Sequence, residues 1–231
     1  MNRVVEPEFL DELPPHDPRA ARSRRDLRRL NRVMGHPRIM AQAPAAALNG
    51  HPTSRIVELG AGDGDFLLRV ARRLAAPRQT VAATLVDRLD VLDPEARGRF
   101  DRLGWRVDSE IADAIDWLRR SAGTTADVMF SNLLLHHFQP EPLAELLRLA
   151  SCSTRAFIAL EPARARRLLF YARFLWLLGC GPVTRHDACV SIRAGFAAHE
   201  LSSLWPNRED WELTERRAGL FSHLFIARRK G

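Results

Sequence analysis

Residues 55–74 read RIVELGAGDGDFLLRVARRL, with three glycines in five positions (Gly60, Gly62 and Gly64) directly after a short apolar run. The run Arg55–Leu59 has the composition of a strand, and Phe66, Leu67, Val70 and Leu74 recur at helical spacing on one face. Strand, glycine loop and helix in this order bring bare backbone and a helix N-terminus to one point, where free N–H groups meet a ligand. The nicotinamide fingerprint would need a third glycine at position 65, which is Asp65, and no Gly-Lys-Ser/Thr follows as in a phosphate loop. Asp63 and Asp65 would repel a pyrophosphate, whereas a cofactor with a cationic end tolerates them.

Outward from this segment the chain alternates. Strands are predicted at Thr80–Asp87, Trp105–Ile111, Asp127–Ser131 and Arg155–Glu161, with helices between them such as Pro142–Ala150. Such alternation predicts parallel pairing in a sheet covered on both faces. The last stretch, WELTERRAGLFSHLFIARR, predicts an antiparallel hairpin turning at Ala218–Gly219. At the other end, residues 1–18 read as an irregular, mobile lead-in. Arg19 to about Val33 is helical, Gly35–Pro37 a break, then a short helix ends in a turn at Asn49–Pro52. The fold class expected is α/β: a doubly wound, mostly parallel seven-stranded sheet with a C-terminal antiparallel hairpin. A helical N-terminal lid and a helical insertion before the hairpin complete it.

The chain has 231 residues, a formal charge of +7 and a pI near 10.6, but 34 of its 35 basic residues are arginine and they are spread along it. That distribution looks like compositional bias, and the one dense block, PRAARSRRDLRRLNR at 18–32, reads as a solvated or anionic-surface-facing helix before a nucleic-acid contact. No stretch of about 18 uncharged apolar residues suggests a membrane span. The N-terminus lacks the apolar core of a secretory signal, and three cysteines without metal-ligand spacing fit a reducing, cytoplasmic setting with no metal.

Glu58-Leu-Gly60-Ala-Gly62-Asp-Gly64 resembles motif I of class I S-adenosylmethionine-dependent methyltransferases, and the whole is similar to their ubiquinone/menaquinone-type, small-molecule branch. Three further segments carry the resemblance. TLVDR ends in Asp87, with Arg88 beside it, where the family holds the ribose hydroxyls; SEIADAIDWL offers Asp113 for the adenine amino group and Ala114 for a backbone contact; ADVMFSNLLLHHF is similar to motif IV, with Asn132 and Leu133 beside the methionine part. The resemblance implies S-adenosyl-L-methionine as cofactor, held by Glu58, Gly60, Ala61, Gly62, Gly64, Asp87, Arg88, Asp113, Ala114, Asn132 and Leu133. Asp87 also suits a helix N-cap, and Asp108 or Glu110 would take the adenine role under a shifted strand register. The resemblance covers Arg55 to Glu161 and the hairpin, and divides the chain into residues 1–50, tail and lid helices, and 51–231, the cofactor-binding domain with an acceptor cap at 162–205.

The acceptor side is read from its own residues. His136 and His137 at the fourth strand's end are base candidates, and in this family the same LHHF also orders a loop. His186, in an expected loop before a helix that Asp187 would cap, is a weaker one. Leu168–Leu178 is apolar nearly all round, so it must be buried, dimer-forming or in contact with lipid. An apolar roof implies an apolar small-molecule acceptor, phenolic, quinone-like or polyketide-derived, methylated on oxygen or carbon. Arg164, Arg166 and Arg167 leave peripheral membrane contact open, and the state is monomer or homodimer. Motif IV lacks the Asn/Asp-Pro-Pro-aromatic signature of base methylation, which disfavours the RNA methyltransferase alternative; an inactive cofactor-binding partner subunit stays open.

Overall fold

The central strands are apolar runs buried on both sides, which forces helices onto both faces of one sheet. In the computed structural model, which describes residues 1–14, 16–47, 53–74, 80–89, 94–121 and 125–230, these are β1 (Arg55–Leu59), β4 (Ala126–Asn132) and β5 (Thr154–Pro162). With β2 (Val81–Asp87), β3 (Trp105–Ile111), β6 (Trp211–Ala218) and β7 (Ser222–Arg229), they form a seven-stranded sheet in the order β3-β2-β1-β4-β5-β7-β6. β7 alone runs against the others, paired antiparallel with both β5 and β6. The edge strand β6 alternates buried and exposed residues along much of its length, as one wet face requires. The expected turn at Asn49–Pro52 lies outside the described residues.

Two cores follow from the two faces. On one, Met40 and Ala43 of α3 (His36–Ala47), Phe66, Leu67 and Val70 of α4 (Asp65–Leu74) and Phe100 of α5 (Pro94–Asp101) meet Ile56, Leu85, Val128 and Ile158. On the other, Ile115 and Leu118 of α6 (Ala114–Arg120), Leu143 and Leu147 of α7 (Pro140–Ser153) and Leu201 of α10 (Glu200–Leu204) meet Val57, Met129, Phe157 and Phe225. Trp205 closes this second core, with Phe157, Phe225 and Trp211 around it at ring distances of 5.0–5.5 Å.

The ends of the chain depart from expectation. Residues 1–14 are docked, not a loose lead-in: they contain α1 (Phe9–Glu12) and lie against α9 (Pro182–Ala194), with the Val4 N–H on Arg193 O. Asp187 lies inside α9 and does not cap it. Its two carboxylate oxygens instead accept the Phe9 and Leu10 N–H groups that begin α1. His186 is likewise helical and stacks flat on Phe9, with ring centroids 3.7 Å apart. The arginine-rich α2 (Pro18–Val33) buries Ala20, Ser23, Asp26 and Leu30, and Asp26 accepts from Gly181 N–H and Thr184 Oγ1 at the start of α9. Arg28 and Arg29 are paired with Asp63 and Asp26.

The apolar run after β5 is broken as well. α8 (Arg166–Ala172) gives way to a 3-10 turn at Leu175–Leu178, and Gly179, at φ 73°, ends it in the left-handed conformation. α9 then returns to the sheet, where Phe196 N–H meets Pro162 O and Ala163 bridges Phe196. Gly195 permits this closure, because a Cβ there would lie 2.3 Å from Pro162 O. Gly195→Ala should therefore destabilise the fold by about 1–3 kcal/mol, the range for overpacking. Urea denaturation reads the shift, and an unchanged midpoint would show that the α9–β5 junction tolerates separation.

Candidate active site

Ligands in open α/β sheets bind outside the carboxyl ends of the strands, and here the ends of β1, β2, β4 and β5 converge with the residues the sequence singled out. After β1 the loop turns on left-handed Gly60, Gly62 and Gly64, at φ 71°, 54° and 75°. A Cβ on Gly62 would meet nothing within 4 Å, so this backbone faces open space. Asp87 at the end of β2 accepts the Gly62 N–H (2.8 Å) on one oxygen and the Leu89 N–H (3.0 Å) on the other. Asp113 is the N-cap of α6; one oxygen accepts Ile115 N–H at 2.8 Å, and the second has no partner among the described residues. The rival carboxylates Asp108 and Glu110 lie on the exposed stretch of β3 and line neither cavity described below.

Glu58 is fully buried and its Oε2 has no hydrogen-bond partner among the described residues. Burial first, then the nearby Asp87 and Asp63 charges, push its carboxyl well above the usual range. A buried acid in that condition lacks a cation.

The end of β4 is organised by Glu161 on β5. Leu133, at φ 56°, turns the chain, and Glu161 collects what the turn presents. Its Oε1 accepts Leu134 and Leu135 N–H at 3.0 and 2.8 Å; its Oε2 accepts His136 N–H at 3.3 Å and the His136 ring at 2.7 Å. The other ring nitrogen of His136 reaches Glu8 Oε1 at 3.3 Å. Burial alone would lower the His136 pKa, but the bonds to Glu161 and Glu8 override it and hold the ring up at about 9. His136 is thus an imidazolium bridging two carboxylates. Both ring nitrogens are engaged, the arrangement of a residue that orders a loop.

His137 differs. It is partly open, its Nδ1 lies 3.2 Å from Asp11 Oδ2, and its Nε2 has no partner among the described residues. Above it, Arg3 donates to the carbonyls of Ala194, His136 and Phe138, fastening the lead-in to the end of the histidine turn. On the other side His36 is pushed down to about 4 by burial, so the neutral ring donates from Nδ1 to Asn132 Oδ1 (3.0 Å) and accepts from Ser222 Oγ (2.6 Å). Arg3, Glu8, Asp11 and His36 were not anticipated as site residues. The partners named here lie 96 to 191 positions away, where no local pattern reaches.

These residues surround two adjoining cavities. The smaller, about 230 Å³, is lined by Glu58, Gly60, Ala61, Gly62, Asp87, Asn132 and Leu133. The larger, about 790 Å³, runs from Gly60, Asp87, Arg88, Asp113 and Ala114 past His136 and His137 to apolar walls. Those walls are Leu27, Leu30 and Met34 of α2 and its end, with Leu168, Tyr171, Phe174 and Leu178. Gly64 and His186 line neither cavity; the Gly64 N–H closes the loop on Ala61 O. Glu8, His136 and His137 place one ligand atom each within 4.8 Å, the spacing of a metal site. Both His136 nitrogens are spent on carboxylates, so a proton already supplies the positive charge there.

No family model matches the chain, and no curated protein matches its sequence. Solved structures share its fold. The plantazolicin methyltransferase BamL, in complex with a triazolic desmethylPZN analog and SAH, superposes with a TM-score of 0.65 at 12% identity, over 96% of this chain and 93% of that one. The plantazolicin methyltransferase BpumL in complex with SAH gives 0.63 at 15% identity, over 93% and 92%. An O-methyltransferase family protein from Burkholderia thailandensis gives 0.58 at 19% identity, covering 93% of this chain and 62% of its own. The chain thus spans about 62% of that protein, and 55% of a second one, from Nostoc punctiforme, assigned as an O-methyltransferase. The fold is that of class I S-adenosylmethionine-dependent methyltransferases.

The His136 bridge has a pH signature. Its pKa is raised in the folded chain, so its stabilisation is fully present below 6.5 and is lost as pH rises through about 9. Unfolding free energies measured across that window should fall more steeply for the wild type than for His136→Gln. Equal slopes would remove the imidazolium assignment.

Proposed function

We propose that the protein transfers a methyl group from S-adenosyl-L-methionine to an apolar small molecule with an acidic hydroxyl or activated carbon, phenolic, quinone-like or polyketide-derived. The observation that carries this reading is a pair of adjoining cavities that share Gly60, Asp87 and Leu133, one carboxylate-lined at the glycine loop, the other apolar-walled with His137 on its lining.

The residues present fit the cofactor. The orphaned, buried Glu58 carboxyl matches a group with an ammonium, and the open face at Gly62 leaves room for a chain against the backbone. Asp87 retains lone pairs for two ribose hydroxyls, and the second Asp113 oxygen suits the adenine amino group, with Ala114 and Leu133 beside them. Gly60 and Gly62 are the contact glycines, Gly64 a turn former. When bound, the cofactor supplies a methyl group activated by a sulfonium. The protein then aligns the acceptor and takes its proton: His137 Nε2 accepts the hydroxyl proton as the new methyl bond forms, and Asp11 holds the other ring nitrogen in the donor state. Asp11 acts as a positioning residue; burial raises its carboxyl, but the His137 bond together with the nearby His137, Arg88 and His136 charges keeps it below the usual range.

Transfer of labelled methyl to a panel of alkyl-substituted phenols and quinols tests the acceptor class. SAH binding without transfer to any of them would overturn the class, and absence of SAH binding would overturn the whole reading. His137→Ala should cut turnover about a hundredfold or more, the scale of general-base catalysis, while SAH affinity stays unchanged.

Cofactor binding itself should release a proton. Glu58 is held protonated in the free protein and would ionise against an ammonium, so affinity should rise with pH. Calorimetry in buffers of different ionisation enthalpy measures the release, and Glu58→Gln should abolish it. Asp87→Ala should weaken binding by about 1–3 kcal/mol, the cost of lost charged hydrogen bonds. A wild type that binds with no proton release would exclude Glu58 as the ammonium's partner.

A further inference from the structure

We propose that the rim Phe170–Leu178 docks on an anionic lipid bilayer and that the acceptor enters the large cavity from the bilayer through this rim. The entry route rests on the methyl-transfer reading above; the docking does not.

The first observation is exposure. Phe170, Tyr171, Phe174, Trp176, Leu177 and Leu178 are each 41–63% exposed, six apolar side chains within nine positions. The apolar surface extends onto the hairpin turn, where Phe221 meets the Tyr171 ring edge-on at 6.2 Å and its neighbour Leu220 is 52% exposed. Apolar area of this extent is costly in water and marks a contact surface.

The second is position. Tyr171, Phe174, Leu177 and Leu178 line the large cavity and are exposed at the same time, so they form its mouth. The break between α8 and the 3-10 turn spreads these side chains around an opening, which a continuous helix would not do. A molecule with an apolar chain would pass from hydrocarbon to cavity without crossing water.

Charge selects the occupant. Between Glu161 and Asp187 there is no acidic residue, while Arg166, Arg167 and Arg173 stand exposed in and beside the rim. Arg22 of α2 adds its guanidinium at the rim's end, donating to Gly179 O at 3.4 Å. Arg164, expected to share in headgroup contact, is turned inward onto Glu200 and Gly195 O and takes no part. Arginines around tyrosine and tryptophan suit the phosphate level of a membrane, where amphipathic rings partition. Among the described residues no helix is long and apolar enough to cross a membrane, so the contact is peripheral.

Sedimentation of the full chain with vesicles, phosphatidylcholine alone or mixed with phosphatidylglycerol, tests this without any acceptor. Retention is expected on the mixed vesicles, weakening with salt. Replacing Arg166, Arg167 and Arg173 by glutamine should weaken it about a hundredfold, at roughly fivefold per arginine near an anionic surface. Phe170→Ser with Trp176→Ser should abolish it; neither residue lines a cavity, so SAH affinity and far-UV dichroism should hold in both variants. No retention of the wild type overturns the proposal. So does retention that survives both sets of substitutions, or a dimer in solution that the serine variant dissolves while vesicles bind neither protein.

Discussion

One carboxylate holds the site together. Glu161, fully buried on β5, accepts three consecutive N–H groups from the turn after β4 and the ring of His136. A charge buried there is tolerable only with every lone pair used and an opposite charge beside it, and His136 supplies that charge. The consequences run outward. Leu133 must take its left-handed turn to present the N–H groups, which fixes Asn132 against His36 and aims His137 into the cavity. Glu8 completes the far side of His136, and with it the N-terminal segment gains a reason to dock.

The two cavities are chemically opposite. Around the glycine loop stand Glu58, Asp63 and Asp87; around the far chamber stand leucines, Phe174 and Tyr171. Such a division would sort two ligands by solvation alone, a cationic, hydrogen-bonding one suiting the first and an apolar one the second. The segment His136–His137 lines the larger cavity, one ring locked by carboxylates, the other held by a single one and open on its remaining nitrogen.

Much of this was legible in the sequence because it is local. β1 and β3 fell on their predicted bounds and β2, β4 and β5 within a residue or so, since buried parallel strands are short apolar runs separated by helices of clear period. The glycine loop, Asp87 and Asp113 could be read because strand ends converge by topology. What escaped reading is polar and distant. Glu8, Asp11 and Arg3 look like an acidic, proline-broken lead-in, and their partners are more than a hundred residues away. Hydrophobic periodicity carries no record of a buried ion pair. The run at Leu168–Leu178 misled for the converse reason: its uniform apolarity implied one continuous helix, buried, dimer-forming or in contact with lipid, whereas the chain breaks at Arg173–Phe174 and leaves the rim open.

The docking of residues 3–11 also sets an order of assembly. They are translated long before α9, yet Arg3, Phe9 and Leu10 have their anchors at Ala194 and Asp187. The sheet from β1 to β5 and its helices can form while this segment is still unattached. Closing a loop of some 180 residues gains little until both ends present finished surfaces, so this contact belongs to the last steps of folding. A ribosome-bound chain lacking α9 would hold a complete glycine loop and no complete histidine site: the glycine-loop end matures first, and the histidine end is assembled only when the chain returns to its own beginning.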